Sequence, residues 1–312
     1  MKRNLTIEAC RFLIILWIVL YHYTHRYFDL FSVGEHLSYF STGGTIGVPL
    51  FFLISGYFSG KVLIVEQFGI KVAFKFFVNK YWRLWPAYVV SIIIIFIFSR
   101  IFPYEEFMHT WQELIANVFI YHPGFRSIDG AHWFIADLVK LFVLLSVFFL
   151  LKKQHRKKYF VSFFIIILVL YVVNCVTSNS ITNSICSFWP CRSTLCFASG
   201  MILYNIEKKE FPSSALLPVV LFFLFESIIF HSLLYPVCVV LLGMILLKKI
   251  NIKLPTITVY LGTLSYYIYL IHQNIGYIII NRTNSIILAI AVSVILSVLM
   301  ERLLCKVPAR II

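Results

Sequence analysis

Charge is scarce in this chain. Of 312 residues only 13% are charged, and the acidic ones number 13, where a soluble domain carries about a quarter charged residues. No internal repeat, low-complexity tract or appended soluble domain interrupts the sequence. The seven cysteines lack metal-ligand spacing and are scattered in an odd number, so they predict neither a metal centre nor a disulfide framework. Buried free thiols are the expectation, although Cys175, Cys186 and Cys191 can approach one another at one connection. The first apolar stretch contains Arg11, runs past twenty residues and meets no A-x-A-like site. It is therefore expected to be retained rather than removed as a signal peptide.

What is present is apolar surface. The chain is 61% hydrophobic and 18% aromatic, with a mean hydropathy of +0.90, more than one soluble core can bury. These values predict an all-α polytopic membrane protein in which a single membrane domain fills residues 1–312. About 20 apolar residues cross about 30 Å of hydrocarbon, and about ten segments qualify by that measure: Ile7–Phe28, Thr45–Val65, Leu84–Phe102, Ala131–Leu151, Tyr159–Thr177, Cys186–Asn205, Ser214–His231, Leu233–Leu247, Ile257–Ile280 and Ser285–Leu304. The seventh and eighth are short.

The formal charge of +14 has a spatial pattern. Lys and Arg gather in alternate connections, at Lys2–Arg3, Lys61–Arg83, Lys152–Lys158, Lys208–Lys209, Lys248–Lys253 and Arg302–Arg310, whereas the other connections hold Glu35, Glu105, Glu106 and Asp129 with few cations. The positive-inside rule places both termini in the cytoplasm. Charge distributed in this way excludes a nucleic-acid face.

Polar residues inside the first span raise the functional question. Arg11 and His22 are eleven residues apart, about three helical turns, so they share a face about 16 Å apart along the axis. One reading has Arg11 snorkelling to the inner surface beside Glu8 while His22 and His25 join an interfacial belt. The other has Arg11 and His22 facing a cavity, since a charge near mid-bilayer costs about 2.5 to 3.5 kcal/mol. Counting about 1.5 Å per residue from each span start, His22, His272 and Asp137 all fall about 21 to 22 Å from the inner edge, and Glu226 about 18 Å. A neutral imidazole at that level suits proton abstraction near neutral pH.

Four elements in order resemble the acyltransferase-3 family of integral-membrane acyltransferases, which modify bacterial surface glycans. They are Arg11-x10-His22, "GVPLFFLISGYF" (Gly47–Phe58), "NKYWRLWPAY" (Asn79–Tyr88) and "YLGTLSYYIYLIH" (Tyr260–His272). The chain departs from the family pattern in carrying Lys80-x-x-Arg83 in place of a pair of arginines. It also has Asp137 four positions after Trp133, where many members have Glu at the fifth.

The resemblance implies O-acyl transfer, usually of acetyl, from cytoplasmic acetyl-CoA to a hydroxyl of a surface polysaccharide or lipid-linked saccharide such as O-antigen or capsule. It implies a location in the bacterial inner membrane. Lys80 and Arg83, with Lys75, would hold the phosphates of coenzyme A, and Arg11 would meet a phosphate or the pantetheine arm. His22 would take the hydroxyl proton, with Asp137 and His272 as its companions; an acyl-imidazole intermediate uses the same residues. No permanently bound cofactor is expected. Ser55 beside Gly56 reads better as close helix packing than as a nucleophile. The competing class is a transporter or flippase for a glycan or lipid-linked saccharide, since polar groups in a bundle also line pathways.

Overall fold

The computed structural model describes residues 4–27, 43–120, 124–177 and 180–305. Among the described residues 82% are helical and none is in a strand. The helices are α1 (Leu5–Arg26), α2 (Gly43–Ser59), α3 (Ile70–Ile101), α4 (Trp111–Asn117), α5 (Trp133–Phe148), α6 (Lys153–Thr177), α7 (Ser180–Phe188), α8 (Cys191–Glu207), α9 (Leu216–Ile229), α10 (Leu234–Leu246), α11 (Ile257–Thr283) and α12 (Ile286–Leu304). Each of the segments expected to span overlaps a helix, although Cys186–Asn205 runs across the break at Pro190 between α7 and α8. Lys2, Arg3 and Arg310, which entered the topology argument, lie outside the described residues.

Among the described residues six helices are long and apolar enough to cross a membrane: α1, α2 with the turn that extends it, α3, α5 with the turn before it, α6 and α12. The other four expected spans differ for two physical reasons. With 14 and 13 residues, α9 and α10 are shorter than the about 17 that a crossing needs, and α8, at 17, stands at that limit and carries Arg192, Asn205 and Glu207. At 27 residues α11 is long enough, but Ser265, His272, Gln273, Asn274 and its tyrosines dilute its hydropathy. Polar residues accumulate on this helix because it carries the site.

Local signals set the helix ends. The Asn4 side chain caps α1 by accepting from the N–H groups of Thr6 and Ile7 at 2.9 and 3.3 Å. Thr110 and Glu113 form a reciprocal capping box at the start of α4. Asn284, in the left-handed region at φ 52°, ends α11, and Ser285 at once caps α12 through the N–H of Leu288. This two-residue reversal lays α12 back along α11.

The chain divides into two compact units. The first comprises Met1–Gly47, Val78–Val139 and Lys253–Ile312. At its centre α1 and α11 run parallel: a side chain at Gly262 would strike Glu8, and one at Gly276 would strike Tyr23. The contacts lie 15 residues apart on α1 and 14 on α11, so the two helices stay in register over about 21 Å. The second unit comprises Val48–Phe77 and Lys140–Ile252. Here Arg156, fully buried, donates to the carbonyls of Leu151, Val62, Val65 and Gln67 at 2.5 to 2.9 Å, fixing the segment that leads into α3.

The second unit also contains a reciprocal backbone contact. A Cβ on Gly56 of α2 would collide with the carbonyl of Phe197 on α8, and a Cβ on Gly200 of α8 would collide with the carbonyl of Leu53 on α2. The Ser-Gly element of the second span is therefore a close-packing device, because only a residue without a side chain lets two helix backbones approach so far. Gly56→Ala and Gly200→Ala are each expected to destabilise the detergent-solubilised protein by about 1 to 3 kcal/mol, the usual cost of overpacking, and thermal unfolding checks this. Gly243, on which a Cβ would meet nothing within 4 Å, is the control, and Gly243→Ala should leave the transition in place.

Candidate active site

His22 stands one turn before the end of α1, half-buried, with Nδ1 3.2 Å from the hydroxyl of Tyr277 on α11. That hydroxyl also lies 3.4 Å from the backbone carbonyl of His22. The ring of His272 lies 5.2 Å from the ring of His22, centroid to centroid. Because a carbonyl can only accept, the 2.9 Å contact between His272 Nδ1 and Tyr269 O places the proton on Nδ1. His272 Nε2 is left with its lone pair, buried and without a hydrogen-bond partner. Tyr23, next to His22, donates to the backbone carbonyl of His272 at 2.8 Å and meets Ser293 Oγ of α12 at 3.2 Å.

The segment leading into α5 holds this part of α11. In a regular α-helix the N–H of Asn274 would bond the C=O of Leu270. Both groups take a side-chain partner from this segment: Asp129 Oδ2 accepts from that N–H at 3.0 Å, and His132 Nε2 donates to that C=O at 2.9 Å. Asp129 Oδ1 accepts from the N–H of Ala131 at 2.8 Å, Tyr269 donates to the carbonyl of Ala131 at 2.6 Å, and the Asn274 side chain donates to Ile128 O at 2.6 Å. Asn117, at the end of α4, supports the same segment by accepting from the N–H of Ile128 at 3.0 Å. Asp129 is fully buried and precedes the span that begins at Gly130. Burial pushes its carboxyl up to about 7, against the pull of its two backbone N–H bonds.

The residues singled out from the sequence divide into three groups. His22 and His272 are brought together. Arg11 pairs with Glu8 at 3.3 Å, one quarter exposed, three turns from His22 on the same helix. Lys80 and Arg83 stand on α3, Lys80 half-buried and Arg83 exposed. The Tyr266 hydroxyl of α11 donates to the carbonyl of Leu84 at 2.9 Å, which fastens this part of α3 six residues below His272, about 9 Å along the helix axis. Asp137 is half-buried on α5. The acid whose hydrogen bonds hold the histidine-bearing helix is Asp129. Glu226 belongs to the second unit, fully buried, with its carboxylate bound by Arg192 at 2.6 Å, Tyr235 at 3.2 Å and Tyr171.

A family model described as an acyltransferase domain, Acyl_transf_3, matches residues 4–302. The chain belongs to the acyltransferase-3 family. No curated protein and no solved structure matches it. In this acyltransferase two of the four family elements, the first and the last, meet directly at the His22–His272 pair. The third joins the last through Tyr266. Sequence reading missed Asp129, His132, Asn274 and Tyr277. Tyr277 carried a weak signal, since Tyr269, His272 or Gln273, and Tyr277 recur at helical spacing.

Removing Asp129 should loosen the site more than it loosens the rest of the protein. Asp129→Ala removes the side-chain acceptor of the Ala131 and Asn274 N–H groups, at about 1 to 3 kcal/mol for a buried donor left without a partner, while Asp129→Asn keeps one acceptor oxygen. The expected order of thermal stability and of acyl transfer is wild type, Asn variant, Ala variant, measured on the purified protein.

Proposed function

We propose that this protein is an O-acyltransferase of the bacterial inner membrane that moves an acetyl group from acetyl-CoA to a hydroxyl of a surface polysaccharide or lipid-linked saccharide. The single observation that carries the reading is the His22–His272 pair, held from α1 and α11 by Tyr277, Tyr23 and Tyr269. The parallel course of α1 and α11 supports the proposed topology, because both helices follow basic connections and both then run outward with the two termini inside.

In this scheme the Tyr277 hydroxyl donates to the carbonyl of His22 and accepts from its Nδ1–H, which leaves a lone pair on Nε2. That nitrogen removes the proton of the acceptor hydroxyl as its oxygen attacks the thioester carbonyl. The tetrahedral intermediate collapses, the carbon–sulfur bond breaks, and the imidazolium returns its proton to the departing thiolate. Arg11, Lys80 and Arg83 hold the donor on the cytoplasmic side, the cations meeting phosphate through charge-assisted hydrogen bonds. His272 orders the reacting end, with Asp137 further along α5. Acetyl-CoA is a substrate, and the scheme needs no resident cofactor.

Incubation of the purified protein with labelled acetyl-CoA and saccharide acceptor tests the reading directly. A transporter would leave the thioester intact, and no consumption would sink the proposal. His22→Ala should lower transfer by about 10² to 10⁴ while coenzyme A still binds. His25, one turn away and exposed, is the comparison: His25→Ala should retain activity, and equal losses would remove His22 from the chemistry.

The donor side makes a separate prediction. Arg83→Ala should weaken coenzyme A binding about 10- to 100-fold, the value of one charge-assisted contact, with little effect on the unfolding temperature. An unchanged dissociation constant would take Arg83 out of the donor site.

A further inference from the structure

Three cysteines gather near the α6–α8 connection, and two of them are in contact. Cys186, in the last turn of α7, has its Sγ 3.2 Å from the Sγ of Cys191, the first residue of α8. The corner between them is tightly made. Pro190 has φ −74° and ψ 76°, the inverse γ-turn conformation, and the N–H of Cys191 bonds the carbonyl of Trp189 at 2.8 Å. The N–H of Trp189 in turn bonds the carbonyl of Ile185 at 2.8 Å. Backbone geometry thus sets the two sulfurs about 1 Å further apart than a disulfide bond of about 2.05 Å.

The two thiols differ in access. Cys186 is half-exposed and Cys191 is buried, the arrangement of an attacking and a resolving thiol. No cluster of His, Cys, Asp or Glu suited to a metal ion occurs among the described residues, and neither sulfur belongs to the histidine site. The connection follows α6, which begins in the basic run Lys152–Lys158; under the topology of the proposed function it emerges outside, where disulfides persist.

We infer that Cys186 and Cys191 form a disulfide bond in the mature protein, by exchange with an extracytoplasmic protein disulfide or a small-molecule disulfide. The Cys186 thiolate attacks one sulfur of the oxidant and displaces the other as a thiolate. The Cys191 thiolate then attacks Cys186 Sγ and releases the second oxidant sulfur. The chain's two thiols lose two electrons and two protons, and the oxidant's disulfide takes both to become a dithiol. The bridge would fix α7 to the first residue of α8, next to Arg192, whose guanidinium binds the buried Glu226. The inference rests on the proposed topology for its oxidising compartment and is independent of the acyl-transfer chemistry.

The test uses the full chain purified from membranes, denatured and alkylated with iodoacetamide before and after reduction. Of the seven cysteines, two should escape alkylation until a phosphine reductant is added, and peptide mapping should locate them at Cys186 and Cys191. Alkylation of all seven without reduction, even after incubation with oxidised glutathione, overturns the inference, and so does a bridge that uses Cys175 in place of Cys191. Labelling of Cys191→Ser in intact cells with a membrane-impermeant maleimide, read at the Cys186 peptide, separates the two assumptions. Labelling from outside supports the compartment. Labelling only after permeabilisation refutes the topology and removes the reason for a disulfide. If Cys191→Ser does not accumulate, Cys186 in the reduced wild-type chain gives the same reading.

Discussion

The first unit depends on two hydrogen bonds to one turn of α11. A buried carboxyl and a buried imidazole from one five-residue segment, Asp129 to Trp133, bind the N–H of Asn274 and the C=O of Leu270. A buried polar group left without a partner costs about 1 to 3 kcal/mol, so this side-chain pair is a strong constraint on the turn that it binds. The clamp fixes where α11 sits along its axis, and with it the height of His272. Tyr269, bonded to Ala131 and lying beneath the His272 Nδ1–H, links the clamp to the imidazole. The tautomer of His272 is therefore set by backbone carbonyl geometry, without a carboxylate partner.

Helical content and the positions of the apolar segments were legible in the sequence, because hydrophobic length is a property each segment carries by itself. The pairing of His22 with His272 was legible only as a shared depth, since counting residues gives height and says nothing about which helices are neighbours. The same count put Asp137 at that height, although the acid that holds the site is Asp129. Asp129 was hidden because it stands in a connection rather than in a span; one carboxyl oxygen caps the turn at Gly130 and the other reaches the buried helix α11. Among the described residues six of the ten expected spans are single helices long and apolar enough to cross; α8, α9 and α10 are short, because residue runs that are apolar on average do not reveal where a helix ends.

The second unit is built on a different economy of contact. Two of its buried charged groups are held within the unit: Arg156 by four carbonyls, and Glu226 by Arg192, Tyr171 and Tyr235. Its α2–α8 contact relies on the absence of side chains at Gly56 and Gly200. Lipid offers no hydrophobic drive for two helices to associate, so close backbone approach and buried hydrogen bonds supply the attraction. The Ser-Gly family element belongs to this packing, and the paired histidines lie in the other unit.

The parallel pairing of α1 with α11 also imposes an order of assembly. α1 is the first helix made, and its partner is the eleventh; 250 residues separate His22 from His272. At about 5 to 20 residues per second, α1 waits roughly 12 to 50 s in the bilayer before Gly262 and Gly276 arrive to receive Glu8 and Tyr23. During that interval its polar face meets only lipid, transient neighbours and the insertion machinery. A ribosome that stalls before α11 leaves that face without the helix it packs against.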